Sequence, residues 1–557
     1  MEFNIFKLIK YHFSMRGFPM LFVVLMMSLT VKAQQTFTRA DTLRGSITAA
    51  RAWWDVQNYD LHVNVFAGDS TITGFNIITY KILKTDSIMQ IDLQPPLEVD
   101  SICQDGLKLA YEREGSAIFV RTLNKQTKDQ IKKIGIYYRG KPKIAVNAPW
   151  DGGFMWTKDD QGRPWISTAC QGLGASAWWP NKDHQSDEPN DMTISITVPP
   201  LMNAVSNGRL KRQFDNLDAT TTFVWYVSNP INNYDVALNV GSYVEIKDTY
   251  QGEGGNLDLS YWVIDYNKDT ATKHFAVVKD MLHCFEYWFG KYPFYQDSYK
   301  LVEAPYLGME HQSAVAYGNK FQMGYSGRDL SGTGWGLKWD FIIVHESGHE
   351  WWGNNITSKD IADMWIHESF TNYSETLFTE CEYGPKAAFE YVTGIRKNIK
   401  NDFPIVGPYD VNKEGSGDMY YKGANMIHTI RQIVNDDDVF RSILRGMNET
   451  FYHQTVTAMQ IVDYLNMRTG MNFNKVIEQY LLHTTIPTLE YHFNGTQLQF
   501  RWVTDVIDFN MPVKVTLSDN GYRFIYPGKT WQSTTFTMSD KKQFKVDPNF
   551  FINIKER

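Results

Sequence analysis

His345-Glu346-Ser347-Gly348-His349, eighteen intervening residues, then Glu368 within Trp365-Ile366-His367-Glu368-Ser369-Phe370: this stretch decides how the 557-residue chain is read. A helix repeats every 3.6 residues, so positions four apart stack about 6 Å apart along its axis. His345 and His349 can therefore aim two imidazoles at one cation. A second helix carrying Glu368 can fold back and bring a carboxylate across to them. Two histidines, one carboxylate and an open fourth position form the ligand set of a catalytic zinc, whereas structural zinc sites are closed, usually by cysteine. The expectation is one Zn2+ per chain, with Glu346 placed to move protons beside it. A bare His-Glu-x-x-His string also occurs as two solvent-exposed histidines on a helix. The following acid is what favours the metal.

Outward from this stretch, the pattern changes twice. Residues 50–250 are β-rich: Asp60-Leu61-His62-Val63-Asn64-Val65-Phe66 and Thr193-Ile194-Ser195-Ile196-Thr197-Val198 alternate with period two. From about residue 270 the period is helical. Helices are predicted over Ala271–Phe289, Trp339–Trp352, Met364–Tyr383, Ala387–Lys400, Lys422–Val434, Val439–Glu449, Ala458–Met467 and Phe473–His483. After Thr484 short alternating strands return, as in Leu498-Gln499-Phe500-Arg501-Trp502 and Val513-Lys514-Val515-Thr516-Leu517.

A chain this long exceeds a single core. Aromatic residues at 15% and charged residues at 21% suit a packed globular protein. The net charge of -7, without Lys/Arg runs, argues against a nucleic-acid or anionic-membrane partner. The N-terminus has a basic region (Lys7, Lys10, Arg16), an apolar stretch from Met20 to Leu29 and a small-residue cut site at Val31-Lys32-Ala33. That pattern reads as a cleaved export signal, with a retained anchor as the alternative. It leaves no integral membrane segment in the mature protein and places it in the periplasm or outside the cell. Cys103, Cys170, Cys284 and Cys381 are too scattered for a disulfide scaffold or a metal motif. Four buried thiols is the plainer reading, and one disulfide the other. Two glycosylation sequons, at Asn355 and Asn372, fall against or inside predicted helices and read as coincidence.

His345-Glu346-x-x-His349-Glu350-Trp351-Trp352-Gly353-Asn354, the spacing to Glu368, and three further segments in the same order resemble the aminopeptidase N family of gluzincins. Gly308-Met309-Glu310-His311 is similar to that family's exopeptidase motif, which implies that Glu310 binds the free amine of a substrate, flanked by Gly308 and Met309. Leu307 and His311 depart from the motif. Met419-Tyr420-Tyr421-Lys422-Gly423 is similar to the family's Tyr-Glu-Lys-Gly, which implies Tyr420 as the hydroxyl that steadies the oxyanion; Tyr421 stays open beside it. Thr168-Ala169-Cys170-Gln171 resembles the stretch that lends a second amine contact. Gln171 stands where many members carry glutamate, which leans towards neutral or apolar first residues. Glu375, two turns beyond Glu368, matches the acid that orients a zinc histidine. His367, where the family has asparagine, is expected at substrate or solvent. Asn181 to Ser186 are extra to the pattern and are expected to form a loop near the cleft.

The fold this implies is multidomain α+β: residues 1–33 a signal peptide, 34–250 an antiparallel β saddle or sandwich, 251–485 a thermolysin-like, mainly helical zinc-peptidase domain, and 486–557 a small β domain. Many relatives add a large helical C-terminal domain. With the chain ending at Arg557 the expectation is an open cleft that admits longer peptides. The implied activity is a zinc-dependent aminopeptidase acting on peptides with a free N-terminus. A thermolysin-type endopeptidase is the first alternative, and a non-catalytic peptide-binding module the second.

Overall fold

The structure, a computed structural model, describes residues 36–557. The proposed export signal lies outside the described residues. Strand Trp54–Phe66 buries alternate side chains, as its period-two sequence requires, and sits near the centre of an eight-stranded sheet. It runs antiparallel to Thr71–Ile82 and parallel to Asp191–Val198, with Asn58 opposite Asp191. A four-stranded sheet built around Pro164–Ala169 follows, and the turn after that strand carries Gln171. Trp178 and Trp179 are fully buried in this β core.

The expected boundary at residue 250 cuts through a strand. Tyr243–Gly252 forms a hairpin with Gly255–Ile264, and that hairpin belongs to a five-stranded sheet with Tyr299–Glu303, Val315–Tyr317 and Gly308–Met309. This mixed sheet delivers Gly308, Met309 and Glu310 to the helices. The helices lie where the periodicity placed them, with shifted ends. The expected Ala271–Phe289 helix is two helices, Lys268–His274 and Val278–Phe289, joined by a 3-10 turn. The histidine helix is Phe341–Gly348, shorter than predicted at both ends. It starts at Asp340, whose carboxylate accepts from the N–H groups of Ile342 and Ile343 and from Tyr317 and Asn319. His349 caps its C-terminus in helical conformation, so the four-residue spacing survives the helix end. The Glu368 helix, Trp365–Tyr383, packs against it.

Two of the four cysteines are paired. Cys284 and Cys381 form a disulfide between helix Val278–Phe289 and the Glu368 helix, while Cys103 and Cys170 are free. Four thiols was therefore the wrong choice of the two readings: spacing in sequence cannot show that two helices cross within a Cα separation of 6.1 Å. The C-terminal strands form a four-stranded sheet and a separate hairpin, Val513–Ser518 with Gly521–Ile525. No helix among the described residues is long and apolar enough to cross a membrane. The sequon asparagines Asn355 and Asn372 are both buried and hydrogen-bonded to Asn448 and Glu375.

Candidate active site

The histidine helix and the Glu368 helix meet at a cavity of about 560 Å³, within the size range of small-ligand sites. His345 Nε2 and His349 Nε2 lie 3.6 and 3.5 Å from one oxygen of Glu368. That oxygen, Oε2, is buried and receives no hydrogen bond, an arrangement that is costly unless something positive sits there. The imidazole protons are already committed elsewhere. His349 Nδ1 donates to the Trp352 carbonyl at 2.9 Å, and His345 Nδ1 donates to Glu375 Oε1 at 2.7 Å. Nε2 is thereby the nitrogen of each ring that faces Glu368, the atom through which a metal would be bound. Burial opposes charge on His349, yet Glu368 and Glu310 raise it to about 9. Burial likewise opposes ionisation of Glu368, but His349 and His345 hold its carboxyl well below the usual range. These residues fit a divalent cation bound by two imidazoles and a carboxylate.

Glu375 is clamped in turn. Tyr391 donates to its Oε2 at 2.5 Å and Asn372 to its Oε1 at 2.7 Å. The sequence pointed to Glu375 but gave no sign of Tyr391, which arrives from helix Pro385–Gly394.

Glu346 also lines the cavity, its carboxylate within 4.8 Å of ligand-type atoms of both histidines. Burial raises it to about 7, with His345 opposing the rise and Glu310 adding to it. A carboxyl poised there can accept and return a proton near neutral pH. Strand Gly308–Met309 passes directly over it: a Cβ at Gly308 would lie 2.7 Å from Glu346 Oε1 and 2.7 Å from Ile342 Cγ2. The exopeptidase-like segment thus needs glycine there because backbone touches the acid.

Glu310 and Gln171, 139 residues apart, are joined by a hydrogen bond of 2.5 Å from Gln171 Nε2 to Glu310 Oε1. Tyr234 donates to the same oxygen at 3.2 Å, and Asn354 holds the Glu310 carbonyl at 2.9 Å. Sequence reasoning gave neither Tyr234 nor Asn354 a role. Because the Gln171 amide must donate to a carboxylate, its own carbonyl oxygen is left as an acceptor. Glu310 Oε2 and that carbonyl are both acceptors, the chemistry that an ammonium group requires. Burial pushes the Glu310 carboxyl upward, against the pull of His349.

Tyr420 and Tyr421 both line the cavity. Tyr420 stacks on His345, ring centroids 6.0 Å apart, and its hydroxyl, raised by burial and next by the Glu368 charge, interacts with the Glu368 carboxylate. Tyr421 feels Glu375 and Tyr325 instead. The following Lys422 and Gly423 fix the pair: Lys422 Nζ donates to the His483 carbonyl at 2.8 Å, and a Cβ at Gly423 would lie 1.9 Å from Ser369 Oγ. Helix Tyr421–Val434 can approach the Glu368 helix only with glycine at that contact.

One expectation is corrected. His367 meets neither substrate nor solvent: it is fully buried, lowered to about 3 by burial, and accepts from the Ser358 N–H at 2.8 Å. Asn181 to Ser186 form a loop, and its Asp183, His184 and Gln185 line a small cavity beside the cleft together with Gly172 and Tyr234. Lys182 is buried, its ammonium held by the Trp54 carbonyl and Asp187, while Gln185 Nε2 of the same loop donates to Ser358 Oγ at 3.3 Å. Of the two departures beside Glu310, only Leu307 reaches the cavity; His311 is buried outside it with neither ring nitrogen bonded.

Residues 273–480, which hold both histidines, Glu368 and Tyr420, match the family model described as Peptidase family M1 domain. The chain carries a peptidase family M1 domain. The chain is 20% identical over 493 residues to Probable aminopeptidase 2 of Sulfurisphaera tokodaii, covering 84% of this chain and 59% of that protein. It is 23% identical over 343 residues to Leukotriene A-4 hydrolase of Xenopus laevis, covering 58% of this chain and 53% of the relative. The chain thus spans between half and three-fifths of these two relatives. Among solved structures it shares its fold with an M1 zinc metallopeptidase from Deinococcus radiodurans: TM-score 0.65, 19% identity, 78% of this chain and 95% of that one.

Proposed function

We propose that this M1 chain is a zinc-dependent aminopeptidase that removes the first residue from peptides with a free N-terminus. The observation that carries the reading is the Gln171–Glu310 pair, built into the same cavity as His345, His349, Glu368 and Glu346. His345, His349 and Glu368 would hold zinc. Zinc in such a site polarises a carbonyl and acidifies water towards neutral pH. Glu310 Oε2 and the Gln171 carbonyl take the substrate ammonium, and that anchor sets which peptide bond reaches the centre. Glu346 accepts a proton from the attacking water and returns it to the leaving amine. Tyr420 donates to the oxygen on which negative charge develops.

The test is a panel of aminoacyl chromogenic substrates against the zinc-loaded protein, with Glu346→Gln as control. Hydrolysis by the parent chain and near-loss in the control are expected. Equal hydrolysis by both would place the activity elsewhere.

We also propose that the mature chain is exported and soluble in the periplasm or outside the cell. The N-terminal pattern supports this, as does the Cys284–Cys381 disulfide, a bond favoured in oxidising compartments. N-terminal sequencing of the native protein checks it: a start at Gln34 is expected, and an intact Met1 in the cytosolic fraction would refute it.

A further inference from the structure

The cavity holds one more carboxylate, and neither the metal site nor the ammonium pair uses it. Glu414 lies in the loop ahead of Tyr420 and lines the cleft with Gln171, Gly172 and Glu310. Its backbone is fixed there by neighbours on both sides. Asn412 Nδ2 donates to the Gly172 carbonyl at 3.0 Å, tying the loop to the turn that carries Gln171. The Ser416 N–H donates to the Pro404 carbonyl at 2.9 Å, and Ser416 Oγ donates to Asp402. The side chain points back at that turn: a Cβ placed on Gly172 would lie 3.5 Å from Glu414 Oε1.

Glu414 is half-buried, and among the described residues the charges that act most strongly on its carboxylate are those of Glu368 and Glu310. Burial first, then the charges of Glu368 and Glu310, push its carboxyl up to about 7. A carboxylate kept in a cleft among other acids is stabilised by taking up a proton or by a positive group that enters from outside. The substrate ammonium is already provided for by Glu310 Oε2 and the Gln171 carbonyl. The cation left for Glu414 is one on the side chain of that same first residue. We infer that Glu414 is a specificity-determining residue that favours substrates whose first residue is lysine or arginine. This rests on the aminopeptidase reading of the cleft, and it reverses the preference drawn from Gln171 alone. The acid missing at position 171 is supplied by a different loop, across the Gly172 turn.

The test compares kcat/KM for arginyl against citrullyl and lysyl against norleucyl chromogenic substrates, pairs of similar length that differ in charge. A charge-assisted bond predicts roughly ten-fold or greater preference for the cationic member in the parent chain. In Glu414→Gln that ratio should fall towards one. A parent ratio at or below one overturns the inference, and so does a Glu414→Gln variant that lowers all four substrates equally. If the variant does not fold, competition on the parent chain decides: free arginine is expected to inhibit at least several-fold more strongly than citrulline, and equal inhibition overturns the inference. Hydrolysis without charge preference sinks this inference alone, whereas hydrolysis of none of the four substrates sinks the aminopeptidase reading with it.

Discussion

Replacing Glu375 by glutamine should weaken zinc binding without touching a zinc ligand. In the folded chain Glu375 Oε1 takes the His345 Nδ1 proton at 2.7 Å, which is what leaves Nε2 unprotonated and aimed at Glu368. Glutamine keeps the shape but removes the negative charge, and its amide can turn an N–H toward Nδ1. Nδ1 would then have to accept, and the proton would move to Nε2, the atom the metal needs. Loss of such an orienting acid typically costs 10- to 100-fold in metal affinity, about 1.4–2.8 kcal/mol. The assay is zinc competition against a chromogenic chelator, with circular dichroism to confirm the fold. Tyr391 and Asn372 offer a control for packing. Glu375→Ala strands both of their donors together with Nδ1 and should also lower thermal stability. An affinity within two-fold of the parent in well-folded Glu375→Gln would refute the reasoning, since the His345 tautomer would then not depend on that charge.

Four other outcomes follow from the same geometry. Glu346→Gln should lose roughly 10²- to 10⁴-fold in kcat while still binding one zinc, read by steady-state kinetics and metal analysis. Tyr420→Phe should lose about 10²- to 10³-fold in kcat, and Tyr421→Phe far less, because only Tyr420 engages Glu368. Gly308→Ala drives a methyl group into Glu346 and Ile342; folding is expected to persist while kcat falls by up to about 10²-fold through the displaced acid. Reducing the Cys284–Cys381 bond, which closes a sequence separation of 97, removes at most about 5 kcal/mol of chain-entropy stabilisation. It should lower the melting temperature measured by calorimetry under dithiothreitol, and an unchanged melting curve would mean the two thiols are unpaired.

The metal site was legible in the sequence because its chemistry is local. His345 and His349 share one helix face, and Glu368 follows in the next helix, so spacing placed these three side chains, while the role of Glu375 came from resemblance. Long-range pairings were not legible. Nothing in sequence brings Gln171 to Glu310, Tyr391 to Glu375 or Asn412 to Gly172, since each depends on how separate elements pack. The Gln171–Glu310 assignment came from resemblance, and its hydrogen bond from the fold. Where local reasoning failed, a tertiary contact won over a plausible surface role. His367 was expected at substrate or solvent, yet it is buried and accepts from the Ser358 N–H. The histidine helix was drawn too long because Trp351 and Trp352 continue the apolar pattern after the backbone has turned.

The central claim is that this site measures from a free amine, and one comparison tests it most directly. The zinc-loaded chain is given a single peptide with either a free or an acetylated N-terminus, and release of the first residue is followed by mass spectrometry. Stepwise shortening of the free peptide, with the acetylated form left intact, is the predicted result. Cleavage of both peptides at equal rates, or at internal bonds, would contradict it and make the Gln171–Glu310 pair something other than an amine anchor.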